Sequence, residues 1–287
     1  MQKIFLCLIF LRFALPAFPQ NPKEFTNTFF LKQLNNDSSY TQLKRKVIAE
    51  FTNAKPGEWG EFVFGVDEEL ATQRKVIAFT FDACGGKNGN GYDKELIDLL
   101  RSENIPATFF ISGKWIDANF NTFVSLNRDT LFEIENHGLN HKPSSLSGES
   151  AYGIHGTANV GEAFDEIEAN ALKIKAITNN FPHLYRSATT YIDEACVQMA
   201  GELGITAVSF HVLSGDAVPF ASDSLIEKNV IQHIRPGAII IMHLNHPEWN
   251  TYEAMKKIIP KLRQMGYTFV KLNGFELISD RIKLKKN

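Results

Sequence analysis

Cysteine is scarce: three stand in 287 residues. Cys7 falls in an apolar leader, so Cys84 and Cys196 remain, and one pair is no disulfide framework. The fold must therefore rest on its core. An excess charge of one sign is also missing. Thirty Lys and Arg against 32 Asp and Glu leave −2, which removes the electrostatic case for nucleic acid as a partner. Several catalytic signatures are absent. No serine sits in G-x-S-x-G, which excludes the nucleophile elbow of the α/β-hydrolases. The run "GGKNGNG" lacks both G-K-[ST] and G-x-G-x-x-G, so it is neither a phosphate loop nor a dinucleotide fingerprint. No H-E-x-x-H supports a zinc protease of that type. The one long apolar run is broken by Arg12, which argues against a membrane-spanning helix.

What is present is globular in kind, with 44% hydrophobic and 22% charged residues. The length permits one large α/β domain or two modest ones. Residues 1–19, within "MQKIFLCLIFLRFALPAFPQN", carry an early Lys3, an apolar centre and small residues near Ala17. This reads as a secretory signal peptide, so the expected location is secreted or periplasmic. Residues 20–73 form an N-terminal extension without a chemical signature. Helices are expected in "FFLKQL" and "YTQLKRKVIAEF", and a turn in "KPGEWGEF".

From Lys75 a rhythm begins. "KVIAFTF" reads as a strand apolar on both faces, as in a covered parallel sheet. A helix in "YDKELIDLLRSEN" follows, then strands in "ATFFIS" and "DTLFEIENHG". "VGEAFDEIEANALKIKAITNN" reads as a long helix with Phe164, Ile167, Ala171, Ile174 and Ile177 at helical spacing. "HLYRS" is a short strand, "DEACVQMAGELG" a helix with Cys196 in its apolar face, and "ITAVSF" a strand. "SDSLIEKNVIQHI", "AIIIMH", "YEAMKKIIPKLRQMG" and "YTFVKL" continue the alternation of helix and strand. Such alternation predicts a parallel sheet, and about seven units suit a (β/α) barrel better than an open sheet.

In barrels of this kind the loops after the strands converge on one mouth. The polar residues at strand ends are Asp82, His137, His141, Arg186, Asp216 and His243. The pair His137 and His141, in "NHGLNH", has the spacing that puts two rings on one side of a helical turn, where they can reach one metal ion. His243 suits a general acid, since imidazole titrates near working pH, with Asp216 to orient it. Asp82 suits a general base, with Arg186 to pair with it. Gly85 and Gly86 let the chain turn away beside a ligand.

The order of these motifs resembles the polysaccharide deacetylases, the family 4 carbohydrate esterases. "FTFDACGG" is similar to the first motif of that family, "NHGLNHKPSS" to its histidine motif, "YRSATTY" to its arginine motif, "SGDA" to its fourth and "IIIMH" to its last. The resemblance spans roughly residues 74–275, and a domain of residues 74–280 is expected. It implies a distorted (β/α) barrel and the removal of acetyl groups, usually N-acetyl, from a polysaccharide such as chitin or peptidoglycan. It also implies a divalent metal, commonly zinc. By position, Asp82 resembles the base that activates water, and His137 and His141 the two imidazole metal ligands. Arg186 resembles the partner of the base, His243 the acid that protonates the leaving amine, and Asp216 the partner of that acid. The backbone N–H of Thr189 resembles an oxyanion donor. The family usually has a second adjacent acid as third metal ligand, but Ala83 stands here. Asp82 and Cys84 are the candidates to fill the gap, and the face that Cys84 takes at the strand end bears on the choice. The same departure supports an alternative, a glycan-binding protein on a deacetylase scaffold with impaired catalysis.

Overall fold

The structure is a computed structural model that describes residues 21–279. The expected signal peptide, residues 1–19, and the basic tail "RIKLKKN" lie outside the described residues.

One sheet organises the domain. Its strands are β1 (Val76–Ala83), β2 (Ala107–Ile111), β3 (Phe132–Asn136), β4 (Leu184–Tyr185), β5 (Thr206–Ala207), β6 (Val212–Leu213) and β7 (Ile239–His243). They lie in the order β5-β4-β3-β2-β1-β7-β6, every pairing parallel. An eighth strand, β8 (Thr268–Phe269), pairs with the start of β1. All eight residues of β1 are buried, because helices cover its outer face while its inner face lines the barrel. Phe79, Phe81 and Ala83 pack outward with Leu96, Trp115 and Met255 in one apolar cluster.

The run "ITAVSF" departs from the expected single strand. Thr206–Ala207 pairs with β4 at one edge, and Val212–Leu213 pairs with β7 at the other. Between them, the Val208 N–H bonds the Tyr185 carbonyl and the His211 N–H bonds the Ile239 carbonyl. The segment crosses from one edge to the other, and its backbone donors follow it. This is the distortion of the barrel.

The covering helices are α3 (Lys94–Ser102), α4 (Gly113–Asn127), a long helical stretch from Val160 to Thr178, Glu194–Glu202, Asp223–His233 and Thr251–Gln264. Asp93, Ser112, Asn159, Asp193 and Ser222 each cap a following helix through the side-chain oxygen, which satisfies an N–H left free at the first turn. The stretch 160–178 is not regular. Asp165–Ala169 forms a π turn inside it, a distortion found most often near functional sites.

The N-terminal extension is packed against the barrel. Its helices α1 (Asn27–Leu34) and α2 (Ser38–Phe51) bury Phe30, Tyr40, Val47 and Phe51. Tyr40 packs against Phe164 with tilted rings 5.3 Å apart, and both its hydroxyl and Lys44 bind Asp165. Further on, Trp59–Gly60 pairs antiparallel with Ile192–Asp193. The expected turn in "KPGEWGEF" therefore ends as a short ribbon beside the mouth of the barrel.

Candidate active site

Sheet register brings the polar residues together. Ala83, Ile111, Asn136 and Tyr185 stand in one row across four strands. One step further along each strand are Cys84, Ser112, His137 and Arg186. His243 is the register partner of Asp82. Residues more than 100 positions apart thus meet because the register ends these parallel strands at one level.

Asp82 is almost fully buried and faces a cation. Its Oδ1 accepts from Arg186 Nη1 at 2.8 Å. The guanidinium, itself fully buried, also donates to Thr80 Oγ1 at 2.9 Å and to the Ser209 carbonyl at 2.7 Å, and it lies over the Phe110 ring. A buried charge pair of this kind is costly to break, since either partner alone is left uncompensated.

Cys84, His137 and His141 form a compact donor group. Their ligating atoms all lie within 4.8 Å of one another. Side chains alternate along a strand, so Thr80, Asp82 and Cys84 share the inner face while Ala83 is buried in the outer cluster. This places Cys84 on the side of the histidines. Asp82 Oδ2 remains 3.7 Å from His137 Nε2. A thiolate and two imidazoles with an open fourth position are a fitting donor set for zinc or cobalt. His137 donates from Nδ1 to the Arg186 carbonyl at 2.8 Å, which leaves Nε2 free to ligate, as metal-binding histidines are usually arranged. Burial disfavours the Cys84 thiolate, but the charge of His141 and hydrogen bonds from His137, His141 and His243 outweigh it, so the thiol is held well below its usual value. Burial likewise opposes the His137 imidazolium, and Asp82 and Cys84 outweigh it, raising that group.

The two histidines do not occupy the helical turn that their spacing predicts. They lie on the loop after β3, and His141 has a left-handed backbone at φ +51°. The loop is fixed from below. Glu166, in the π turn, accepts from the N–H groups of Asn140 and Lys142, which flank His141. Burial pushes this carboxyl up to about 7. A Cβ at Gly138 would collide with Glu166, so only glycine fits there. From the extension, Asn27 donates to the Leu139 carbonyl at 2.5 Å. Sequence periodicity missed these supports, because none lies on a regular helix face or strand end.

On the opposite wall, His243 Nδ1 donates to Asp216 Oδ1 at 3.0 Å. Asp216 is held in turn by the His243 N–H at 2.7 Å and by the Thr251 and Ser214 hydroxyls at 3.1 Å. Burial opposes charge on His243, but Asp216 outweighs it and raises the imidazole well above its usual value. Thr189 and Thr190 line the same cavity with φ of +60° and +62°. Two successive β-branched residues in the left-handed region are strained, and such strain collects at functional sites.

Asp82, Cys84, His137, His141, Asp216 and His243 all line one cavity of about 520 Å³. Arg186 stands behind it through its bond to Asp82. Gly85 opens the way in. With φ at +76° and the Trp115 N–H 2.5 Å from any added Cβ, it lets the chain leave the strand where no other residue fits. A larger cavity, about 680 Å³, opens beside the starts of β3, β4 and β5. It gathers Asp67, Glu133, Glu135 and His183 but no thiol, no imidazole pair and no buried arginine. The smaller cavity is therefore the candidate site.

Comparison with known proteins bears on the family and the fold. Residues 69–208 match the family model described as polysaccharide deacetylase. A peptidoglycan-N-acetylglucosamine deacetylase of Bacillus cereus is 28% identical over 208 residues, covering 70% of this chain and 88% of that protein. Among solved structures, a family 4 acetyl xylan esterase from Clostridium thermocellum, in complex with a cobalt ion, aligns with a TM-score of 0.55 at 26% identity. The match covers 69% of this chain and 88% of that one. A CE4 family pseudoenzyme from Bacillus anthracis aligns with a TM-score of 0.60 at 22% identity, covering 71% of this chain and 66% of that one. That last likeness speaks for the fold alone.

Proposed function

Because residues 69–208 match the polysaccharide deacetylase family model, we propose that the chain is a member of that family and a metal-dependent hydrolase removing acetyl groups, N-linked ones first, from a peptidoglycan or chitin-like polysaccharide. The observation that carries the reading is one cavity lined by a charge-paired acid, a Cys-His-His donor group and an imidazole-carboxylate pair.

Cys84, His137 and His141 would hold the ion, taking the place that a second acid fills elsewhere in the family. When bound, a divalent metal supplies Lewis-acid polarisation of the acetyl carbonyl and a more acidic water. Asp82 takes the proton from the attacking water. Arg186 keeps that carboxylate aimed and its charge compensated. The Thr189 N–H is the backbone donor for the developing oxyanion. His243, charged and steadied by Asp216, gives a proton to the leaving nitrogen. The apolar walls, Ile154, Phe210 and Ile241 among them, limit water around these groups. The proposal includes action after export, in a secreted or periplasmic setting. No helix among the described residues is long and apolar enough to cross a membrane.

The test is acetate release from N-acetylglucosamine oligomers and from peptidoglycan with zinc or cobalt supplied. Release by the intact protein, lost in His137→Ala, is expected. Full activity in His137→Ala would contradict the mechanism. Ala83 favours a second reading, a glycan-binding protein without catalysis. Glycan binding with neither stoichiometric metal nor acetate release would establish it instead.

A further inference from the structure

The chemistry above uses the floor of the cavity and leaves one wall unexplained. That wall is built by two segments distant in sequence. One is the ribbon of the N-terminal extension, which carries Trp59 and Glu61. The other is a hairpin pairing Ser150–Ala151 with Ile154–His155. The hairpin turns through Tyr152 and Gly153, with φ of +51° and +76°. Both values being positive matches the two-residue turn that fits the twist of paired strands, for which Asn-Gly or Asp-Gly is favoured. A tyrosine in the first place costs backbone strain and adds nothing to the core, since its side chain is 76% exposed. Folding alone does not account for it, and strain of this kind points to function.

Tyr152 is also aligned. Its ring meets Tyr191 edge-on at 5.6 Å, and Tyr191 meets Trp59 at 5.6 Å. Its hydroxyl donates to Glu61 Oε1 at 3.3 Å, and Glu61 and Tyr152 both line the cavity that holds Asp82 and His137. An exposed aromatic face beside a carboxylate is the chemistry that receives a pyranose ring. The ring stacks its C–H face, and its hydroxyl or amide N–H groups donate to the acid.

We propose that Tyr152, backed by Tyr191 and Trp59, and Glu61 form a glycan subsite that takes an uncharged N-acetylhexosamine next to the residue being deacetylated and disfavours one carrying a carboxylate. This rests on reading the cavity as a deacetylase centre. The N-terminal extension then sets specificity, since Trp59 and Glu61 belong to it. Like charge against Glu61 is the discriminating element, because selectivity needs a term against the wrong partner as well as one for the right one.

Calorimetric titration of the full chain with two tetrasaccharides tests it. One is the neutral N-acetylglucosamine tetramer, and the other is a peptidoglycan tetrasaccharide bearing lactyl carboxylates. The intact protein is expected to bind the neutral tetramer more tightly. Tyr152→Ala weakens that binding by about five- to tenfold, with a smaller loss for the monosaccharide. Glu61→Gln narrows the gap between the two tetrasaccharides by several-fold. The subsite is overturned if Tyr152→Ala binds both as the intact protein does, if Glu61→Gln leaves their ratio unchanged, or if the intact protein binds neither. If the variants behave as expected but no acetate is ever released, the subsite stands and the deacetylase reading falls. Release of acetate with no effect of either variant has the opposite meaning.

Discussion

The two cavities of the barrel bury acids in opposite ways. At the mouth, the two buried acids meet cations: Asp82 bonds Arg186 at 2.8 Å, and Asp216 bonds His243 at 3.0 Å. At the other cavity the two buried acids, Glu133 and Glu135, meet neutral donors. Glu133 accepts from the Thr108 hydroxyl at 2.5 Å and from the N–H groups of Leu272 and Asn273. Glu135 accepts from the Leu184 N–H at 2.7 Å. Burial, with the Glu133 charge beside it, pushes Glu135 well above the usual carboxyl range, while burial pushes Asp67 up to about 6. Buried carboxyls at one end thus serve as caps that tie loops to strands. At the other end they are held as ion pairs beside the Cys84, His137 and His141 donor group. Burial of an acid does not by itself mark chemistry; here the charged partner and the shared cavity together set Asp82 and Asp216 apart.

Four substitutions sharpen or break that contrast. The largest effect is expected from Asp82→Asn. It removes the base and the counter-ion of Arg186 together, so kcat for acetate release falls by about 10³-fold or more and the melting temperature drops. A variant that keeps wild-type kcat would show that the mouth is no different from the other end. Next is Ala83→Asp, which puts back the acid usual in the family. Ala83 packs against the outer helices, so an added carboxylate is buried without a partner. A loss of about 2–4 kcal/mol in denaturant unfolding is expected, with no gain in metal affinity. Tighter metal binding would mean that the strand end can turn its 83rd residue inward. Asp216→Asn is third. It leaves His243 in place but removes the charge that favours its protonated form, and a kcat loss of about 10–100-fold is expected at neutral pH. A loss of stability is expected as well, since an amide NH2 then faces donors that the carboxylate accepted from.

The smallest effect belongs to the other cavity. Glu135 has its folded pKa raised above 4.5. The native state therefore binds more protons than the unfolded chain as pH rises from that value, and stability declines through this window. Glu135→Gln removes the decline. Thermal unfolding followed from pH 4 to 8 should show the variant gaining on the order of 1 kcal/mol at the neutral end and little at the acid end. Acetate release should stay unchanged throughout.

Much of this was legible in the chain and some was not. The strand "VIAFTFDA" and the alternation after it lead to the parallel barrel, because a twice-covered strand must be apolar on both faces. Asp82, Arg186 and His243 could be placed at the mouth because each ends such a strand. The pair His137 and His141 was found by spacing, but the helical turn was wrong: a loop braced by Glu166 and Asn27 does the same work, and no local periodicity encodes it. Helix α4, in "GKWIDANFNTFVSLN", escaped notice; its backbone breaks from helical geometry at Asn119. Cys84 was a candidate whose face was open. Counting by twos through Thr80 and Asp82 would have given it, had the strand been known to run on to Ala83. The wall of Glu61 and Tyr152 could not be read at all, since its two segments meet only in three dimensions.

The central claim, that a thiolate replaces the missing acid at the metal centre, has a direct test. Cobalt is titrated into the intact protein and its absorption spectrum recorded. A stoichiometric ion held by Cys84, His137 and His141 should give a sulfur-to-cobalt charge-transfer band in the near ultraviolet, which vanishes in Cys84→Ser. Stoichiometric cobalt without that band, or a band that survives in Cys84→Ser, would contradict it.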